Sequence, residues 1–161
     1  MEPERLLALA RKLITDLTFC VAVTQGEGGD ANARVVQPRP LGADWSVDVL
    51  TNRRCRKVRE IERTGRLTLL YQHDQDRSYV SLVGRAEIVD DVAFKCSVWT
   101  PAHDRWNPAG PEDPATIFVR LITERIELWS AVHDVMPAPA GYSAAILIRD
   151  GADWRCSTTW I

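Results

Sequence analysis

The order of the predicted elements constrains the fold of this chain more than any single motif does. The apolar pattern predicts a helix, three strands, a second helix, two strands, a third helix and a long strand. This order is not the regular βαβ alternation of a parallel sheet, and short loops between successive strands favour antiparallel pairing. We therefore predict a mainly β (α+β) fold, with six antiparallel strands forming a small closed barrel and helices packed outside it.

Periodicity sets the boundaries of these elements. Apolar residues recur at three- and four-residue steps from Leu6 to Leu17, which predicts an amphipathic first helix. A second helix follows Thr51, turns Val58 and Ile61 inward and ends at Gly65, a residue suited to the left-handed position after a helix. Gly84 predicts a β-bulge inside its strand. The predicted strands cover residues 19–24, 33–41, 45–50, 67–71, 78–89 and 116–129, and a third helix covers 90–99.

The pattern weakens after Trp129. We assign residues 1–131 to the barrel domain and residues 132–161 to a C-terminal extension. Within the extension, 144–148 and 154–158 flank the turn Asp150-Gly151, which predicts a last hairpin packed on the barrel.

Composition restricts the possible partners. Twenty Lys and Arg residues against 22 Asp and Glu residues give a net charge of −2, so no overall positive field favours nucleic acid or an anionic membrane. No apolar run reaches the roughly 20 residues of a membrane span. The four cysteines form no C-x-x-C pair and the three histidines show no ligand spacing. We expect a cytoplasmic protein with reduced thiols and no metal site.

A cluster of cations follows the third strand. Residues 51–57 include Arg53, Arg54, Arg56 and Lys57 at the start of the second helix. Because a helix N-terminus carries a partial positive charge, a cluster of cations there is unfavourable unless an anion binds between them. The segment predicts a phosphate site. Arg56 and Lys57 are its best candidates, whereas Arg53, Arg54 and Arg59 are more typical of a solvated helix face.

The spacing of several motifs resembles the pyridoxamine 5′-phosphate oxidase family of FMN-binding split barrels. Arg34 to Arg39 on the second strand, Leu50-Thr51 after the third, and Cys55-Arg56-Lys57 at the helix start match the order of basic and small polar residues in that family. Gly84-Arg85-Ala86-Glu87 is similar to its G-x-A-E strand, and Glu127-Leu128-Trp129 to its late E-x-W. Asp90-Asp91, Trp99 and the loop 108–114 are similar to the subgroup of general stress proteins.

The resemblance implies FMN as cofactor, bound between the two subunits of a homodimer. Arg34, Arg56 and Lys57 would hold the phosphate, backbone groups of 35–37 and 50–51 would meet the ring, and Trp129 would close the site from the partner subunit. Arg39 would face the flavin or a substrate anion, and Tyr79 stands where the oxidases have glutamine. The implied cofactor-binding residues are Arg34, Val35, Val36, Gln37, Arg39, Leu50, Thr51, Cys55, Arg56, Lys57 and Trp129.

Three functions remain open on the sequence. The first is an FMN-dependent oxidoreductase of unknown substrate, because the substrate-binding Tyr-x-x-x-Arg-x-x-x-Ser and Arg-x-His sets of true pyridoxamine phosphate oxidases do not occur at the matching places. The second is a non-catalytic flavin-binding or storage protein. The third is a split barrel for deazaflavin F420 or haem, in which Arg53, Arg54 and Arg59 would serve the acidic tail of F420.

Overall fold

A computed structural model describes residues 2–157. Its helices are α1 (Pro3–Thr15), α2 (Arg56–Thr64), α3 (Val92–Val98) and α4 (Pro101–Asp104). Its strands are β1 (Cys20–Gln25), β2 (Ala31–Val36), β3 (Ser46–Asn52), β4 (Arg66–His73), β5 (Ser78–Val89), β6 (Thr116–Ser130), β7 (Ala145–Asp150) and β8 (Asp153–Cys156).

The strands form one antiparallel sheet in the order β2-β1-β4-β5-β6-β7-β8, and β3 also pairs with β6. The mainly antiparallel β class is as predicted, the six strands of the predicted barrel correspond to β1–β6, and the sheet has eight strands in all. The two added strands are the hairpin β7–β8, which continues the sheet through pairing with residues 125–128 of β6. Thr158, the predicted end of the last strand, lies outside the described residues.

The predicted closed barrel is not fully closed. In the described residues, β2 forms no ladder with β3; the chain that follows β2 approaches β3 at the bridge between Pro38 and Val49 and at the bond from the Arg39 amide to the Asp48 carbonyl, 2.8 Å. β2 ends at Val36, earlier than predicted, since Pro38 and Pro40 lack the N–H that a strand ladder needs. A split therefore opens between the edges of β2 and β3.

The core lies between this curved sheet and the first two helices. Leu6 and Leu13 of α1 and Val58 and Ile61 of α2 are buried, as their spacing predicted. The predicted bulge is also present: the register between β5 and β6 shifts between Val83 and Gly84. A Cβ atom at Gly84 would lie 2.0 Å from the Ile122 carbonyl oxygen, so only glycine fits this close approach of two strands.

The third predicted helix is present as α3, and a short helix that was not predicted follows it. α3 ends at Val98, and α4 begins at Pro101, beyond the end of the predicted helix. Pro101 suits the first turn of a helix, and Thr100 and His103 form a reciprocal capping box. His103 therefore belongs to a short helix. No helix of the described residues is long and apolar enough to cross a membrane.

Candidate functional site

The turn before α2 leaves the start of that helix uncapped. The Asn52 side chain accepts a hydrogen bond from the Arg54 amide, 2.9 Å. The main-chain carbonyl of Asn52 accepts another from the Cys55 amide, 3.0 Å. Cys55 occupies the N-cap position, its side chain accepts no hydrogen bond there, and the first turn of α2 contains no acidic residue. The amide N–H groups and the positive dipole end of α2 therefore lack an internal anionic partner.

A buried carboxylate lies under the predicted phosphate cations. Glu60 accepts hydrogen bonds from Thr24 and from Asn32, the latter at 2.6 Å, and lies 3.3 Å from Arg34 and 3.5 Å from Arg56. Burial acts to raise the pKa of Glu60, but the bonds from Thr24 and Asn32 and the charge of Arg34 outweigh burial and hold this pKa below its usual value. Glu60 is therefore ionised at neutral pH and holds Arg34 and Arg56 near each other.

Arg34 is fixed by more than Glu60. Its guanidinium also donates to the Thr24 hydroxyl, 2.5 Å, and to the Ala22 carbonyl, 3.4 Å. Arg34 lies opposite Ala22 in the β1–β2 ladder, and Ala22 is buried in the core. Its side chain therefore shares the inner face of the sheet with Ala22, toward the side that α2 covers.

Lys57 has a different environment from its neighbours. Its side chain is partly buried, and within the described residues its ammonium group has no hydrogen-bond or ion-pair partner. Burial lowers the pKa of Lys57, and the charge of Arg34 lowers it further, while Cys55 acts in the opposite direction. A second cation close to a partly dehydrated ammonium group is unfavourable unless an anion joins them. An anion bound on this side of α2 would relieve that repulsion.

The predicted ring-binding backbone lies along the split in the barrel. Continuing the register of the Pro38–Val49 bridge would place Gln37 opposite Leu50 and Val36 opposite Thr51. Neither pair is joined in a ladder, because β2 pairs with β1 and β3 pairs with β6. Main-chain groups of these residues thus line two facing strand edges, where a flat ligand with polar edges would find donors and acceptors.

Arg39 lies in a separate cluster. It contacts Asp48 at 3.5 Å, and Arg120 binds the same carboxylate through two bonds of 2.7 and 3.0 Å. The guanidinium groups of Arg39 and Arg120 both lie over the ring of Phe94, at 5.8 and 5.0 Å from its centroid. Burial lowers the pKa of His103, and the charge of Arg39 lowers it further. Arg39 therefore faces α3 and α4 and has no contact with Glu60.

Trp129 is not brought to the basic cluster within one chain. It lies opposite Tyr79 on β5, and the next residue along each strand, Leu128 and Val80, is buried in the core. Because neighbouring strand residues point to opposite faces, Trp129 and Tyr79 lie on the outer face of the sheet, whereas Arg34 lies on the inner face. Trp129 and Tyr79 line an open cavity of about 470 Å³, together with residues that include Leu70, Ser81 and Glu127.

The sequence did not single out three residues that build this site: Glu60, Thr24 and Asn32. Glu60 stands four residues after Arg56, a spacing that places the two side chains on one helix face. That spacing was the only available signal. The burial of Glu60 depends on the packing of α2 against β1, and no local pattern reports that packing.

Comparisons with known proteins place the chain in a family. The profile of the family described as "Pyridoxamine 5′-phosphate oxidase like" matches residues 7–151. The chain belongs to this family. The match confirms the resemblance to this family that the sequence motifs indicated. The matched residues include the basic turn, both edges of the split and strand β7. A comparison with curated proteins gives no match.

Solved structures share the fold of this member of the pyridoxamine 5′-phosphate oxidase-like family. A Clostridium acetobutylicum protein related to general stress protein 26 aligns with a TM-score of 0.71 at 23% identity, over 81% of this chain and 92% of that one. A pyridoxamine 5′-phosphate oxidase-related, FMN binding protein from Nostoc punctiforme aligns with a TM-score of 0.72 at 14% identity, over 100% and 97%. PhzG from Burkholderia lata, solved with tetrahydrophenazine-1-carboxylic acid, aligns at 0.64 and 18% identity, over 98% and 89%.

Proposed function

We propose that this protein is an FMN-binding flavoprotein and acts as an oxidoreductase. The observation that carries the proposal is the partly buried Lys57, which has no partner in the described residues and stands beside Arg34, Arg56 and the uncapped start of α2. These groups supply what a phosphate requires: fixed cations and free backbone N–H donors. The family match and the FMN binding neighbour support the same cofactor.

The residues present fit FMN in a consistent division of roles. Lys57, Arg56 and the first amides of α2 would bind the phosphate, and Arg34, held by Glu60, would contribute charge at a fixed position. Backbone groups of Val36, Gln37, Leu50 and Thr51 would bind the ring along the split. A bound flavin supplies hydride transfer, and the protein supplies binding, orientation and control of the charge around the ring.

The other functions have less support. The acidic tail of F420 would require arginine side chains near the turn that are free to bind it. Arg53 is already bound to Asp90 at 2.5 Å, and its Nε lies 3.4 Å from the Pro114 carbonyl. A haem would require an axial histidine, but His103 accepts the Thr100 amide bond through Nδ1, 3.0 Å, within its capping box. A non-catalytic flavin-binding protein would use the same site, and only turnover separates it from an oxidoreductase.

The test compares FMN with riboflavin, which has the same ring but no phosphate. We expect purified protein mixed with each compound and then desalted to retain the yellow colour of FMN and to lose riboflavin. Loss of both compounds would contradict the proposed cofactor. Anaerobic mixing of the FMN-loaded protein with NADH, NADPH and other reductants should bleach the flavin if the protein is an oxidoreductase. A flavin that no reductant bleaches would instead favour the non-catalytic alternative.

We further propose that the flavin lies between two copies of the chain. Trp129 and Arg34 lie on opposite faces of the sheet, so Trp129 can reach a flavin only from a second copy. The outer face that would form the interface carries one row of paired residues across five strands, in the order Val35, Val21, Leu70, Ser81 and Glu127. Val35 is 68% exposed, although valine is among the residues most often buried.

A charged residue on this face should separate the two copies. We expect the unchanged protein to sediment as a dimer and Val35→Asp to sediment as a monomer, because a carboxylate buried in an interface loses its hydration. The matched control is Val92→Asp, which alters an exposed valine at the start of α3, away from this face. A dimeric Val35→Asp variant, or a monomeric unchanged protein, would exclude this interface.

A further inference from the structure

A fully buried lysine stands apart from the residues that the proposed function uses. Lys95 on α3 is 0% exposed, and its ammonium donates to the Asp90 carboxylate at 2.9 Å and to the carbonyl oxygens of Thr116 at 2.9 Å and Asp113 at 3.4 Å. An ammonium group has three N–H donors, and all three find acceptors here. Burying a cation is costly unless it is paired and fully hydrogen-bonded. The three contacts of the Lys95 ammonium group offset that cost.

The carboxylate that pairs with Lys95 also holds the basic turn. One Asp90 oxygen accepts from Lys95, and the other accepts from Arg53 at 2.5 Å. Both cations act on the pKa of Asp90, which lies below its usual value: the Lys95 bond lowers it most, and burial acts against this. Asp90 is thus an ionised link between α3 and the turn that leads into α2.

Arg53 transmits this link to the main chain of the turn. Its amide donates to the Ala115 carbonyl at 2.8 Å, and its Nε lies 3.4 Å from the Pro114 carbonyl. Lys95 binds the carbonyl groups on either side of these two, at Asp113 and Thr116. The segment 113–116 is therefore held by both cations, and Arg53 is held by both that segment and Asp90. Three residues after Arg53, α2 begins with the proposed phosphate-binding residues Arg56 and Lys57.

We propose that Lys95 is a positioning residue for the phosphate site, acting through Asp90 and Arg53. None of its hydrogen bonds reaches Arg56 or Lys57, so it acts on the path of the chain rather than on the ligand. The inference rests on the proposed function, because it concerns the same phosphate site at the start of α2. Binding groups need to be held within about 0.5 Å of the productive geometry, and supporting contacts of this kind provide that accuracy.

A purely structural role for Lys95 makes a different prediction. If the buried lysine only fastens α3 to the start of β6, its loss lowers the stability of the fold but affects FMN and riboflavin equally. If it positions the phosphate site, its loss affects FMN alone, because riboflavin has no phosphate. The quantity that distinguishes the roles is the phosphate preference, defined as the dissociation constant of riboflavin divided by that of FMN.

Two variants with opposite effects on charge provide the test. Lys95→Met removes a positive charge and leaves Asp90 paired with Arg53, while Asp90→Asn removes a negative charge and leaves both cations in place. A simple field effect would lower the phosphate preference in the first variant and raise it in the second. Positioning predicts that it falls in both, by about tenfold, the lower end of what outer-layer contacts contribute at metal sites.

The control is Leu147→Ala, which creates a cavity under β7 and lowers stability without touching the turn. We expect its phosphate preference to equal that of the unchanged protein. Opposite changes in Lys95→Met and Asp90→Asn, or no change in either, would overturn the inference. If Lys95→Met does not fold, the direction of change in Asp90→Asn decides, since Asp90 is partly exposed. An unchanged protein without any phosphate preference would instead refute the proposed function.

Discussion

Replacing Arg56 and Lys57 together with alanine is expected to remove most of the affinity for FMN and to leave the affinity for riboflavin nearly unchanged. Hydrogen bonds to charged groups contribute about 1.5–3 kcal/mol each. Arg56 is 63% exposed and should lie at the low end of this range, whereas Lys57 is partly buried and should lie higher. The double variant should therefore bind FMN at least roughly a hundredfold more weakly, since about 1.4 kcal/mol corresponds to a factor of ten.

The measurement is a titration of each flavin, followed by the change in flavin fluorescence. Arg59→Ala is the matched control, because it removes an exposed cation from the same helix that has no contact with Glu60. It should bind FMN like the unchanged protein. An equal loss of FMN affinity in Arg59→Ala would mean that the whole positive surface of α2 attracts the phosphate, and an unaffected double variant would place the phosphate elsewhere.

The stability of the double variant separates loss of binding from loss of folding. Without FMN, Lys57 is a partly dehydrated cation near Arg34, and removing it relieves an unfavourable interaction. Arg56 is 63% exposed, so the loss of its ion pair with Glu60 costs little. The melting temperature measured without flavin should therefore not fall. A site that is unfavourable when empty and favourable when filled is typical of binding residues, which reduce stability for the sake of function.

The sequence predicted those features that depend on residues close together in the chain. The inward positions of Val58 and Ile61, the end of α2 at Gly65 and the bulge at Gly84 all follow from local periodicity or from the conformational freedom of glycine. Gly65 adopts φ 64°, as its position after the helix requires. The residues on the two edges of the split were also predicted, but only through the resemblance, since no local pattern shows that β2 and β3 separate there.

Features that depend on packing between distant segments were not predicted. A lysine is rarely fully buried, and the burial of Lys95 follows from the 113–116 segment that folds over it. Glu60 was missed for the same reason, because its partners Thr24, Asn32 and Arg34 come from two strands. The C-terminal hairpin was predicted, but the weak apolar pattern after Trp129 did not show that β7 continues the main sheet along β6.

Gly84→Ala is expected to have the largest effect on stability. Its new Cβ atom would lie 2.0 Å from the Ile122 oxygen and 2.9 Å from the Ile122 carbonyl carbon, and both are backbone atoms that cannot rotate away. The strands β5 and β6 would have to separate at the centre of the sheet. We expect a cost of at least about 3 kcal/mol, the upper end for overpacking a core. Domains of this kind are stable by only about 5–15 kcal/mol, so the variant should unfold at a much lower urea concentration.

Gly28→Ala is the matched control for this substitution. Gly28 lies in the loop between β1 and β2, and a Cβ atom there would meet only the Asp30 carboxylate, at 3.4 Å. Its free energy of unfolding should change by less than about 0.5 kcal/mol, as at other surface positions. Equal stability of the two variants would contradict the close approach of β5 and β6 at the bulge.

The bulge also connects stability with the proposed site. Before the bulge, β5 pairs Tyr79 with Trp129, and after it the same strand pairs Ile88 with Val119, which in turn pairs with Val49 beside the split. The extra residue of β6 at this point therefore sets the offset between the outer cavity and the split. If Gly84→Ala remains folded in the absence of urea, it should bind FMN more weakly than Gly28→Ala does, because the two parts of the site would no longer be in register. Equal FMN affinity of the two folded variants would show that the bulge serves only the packing of the sheet.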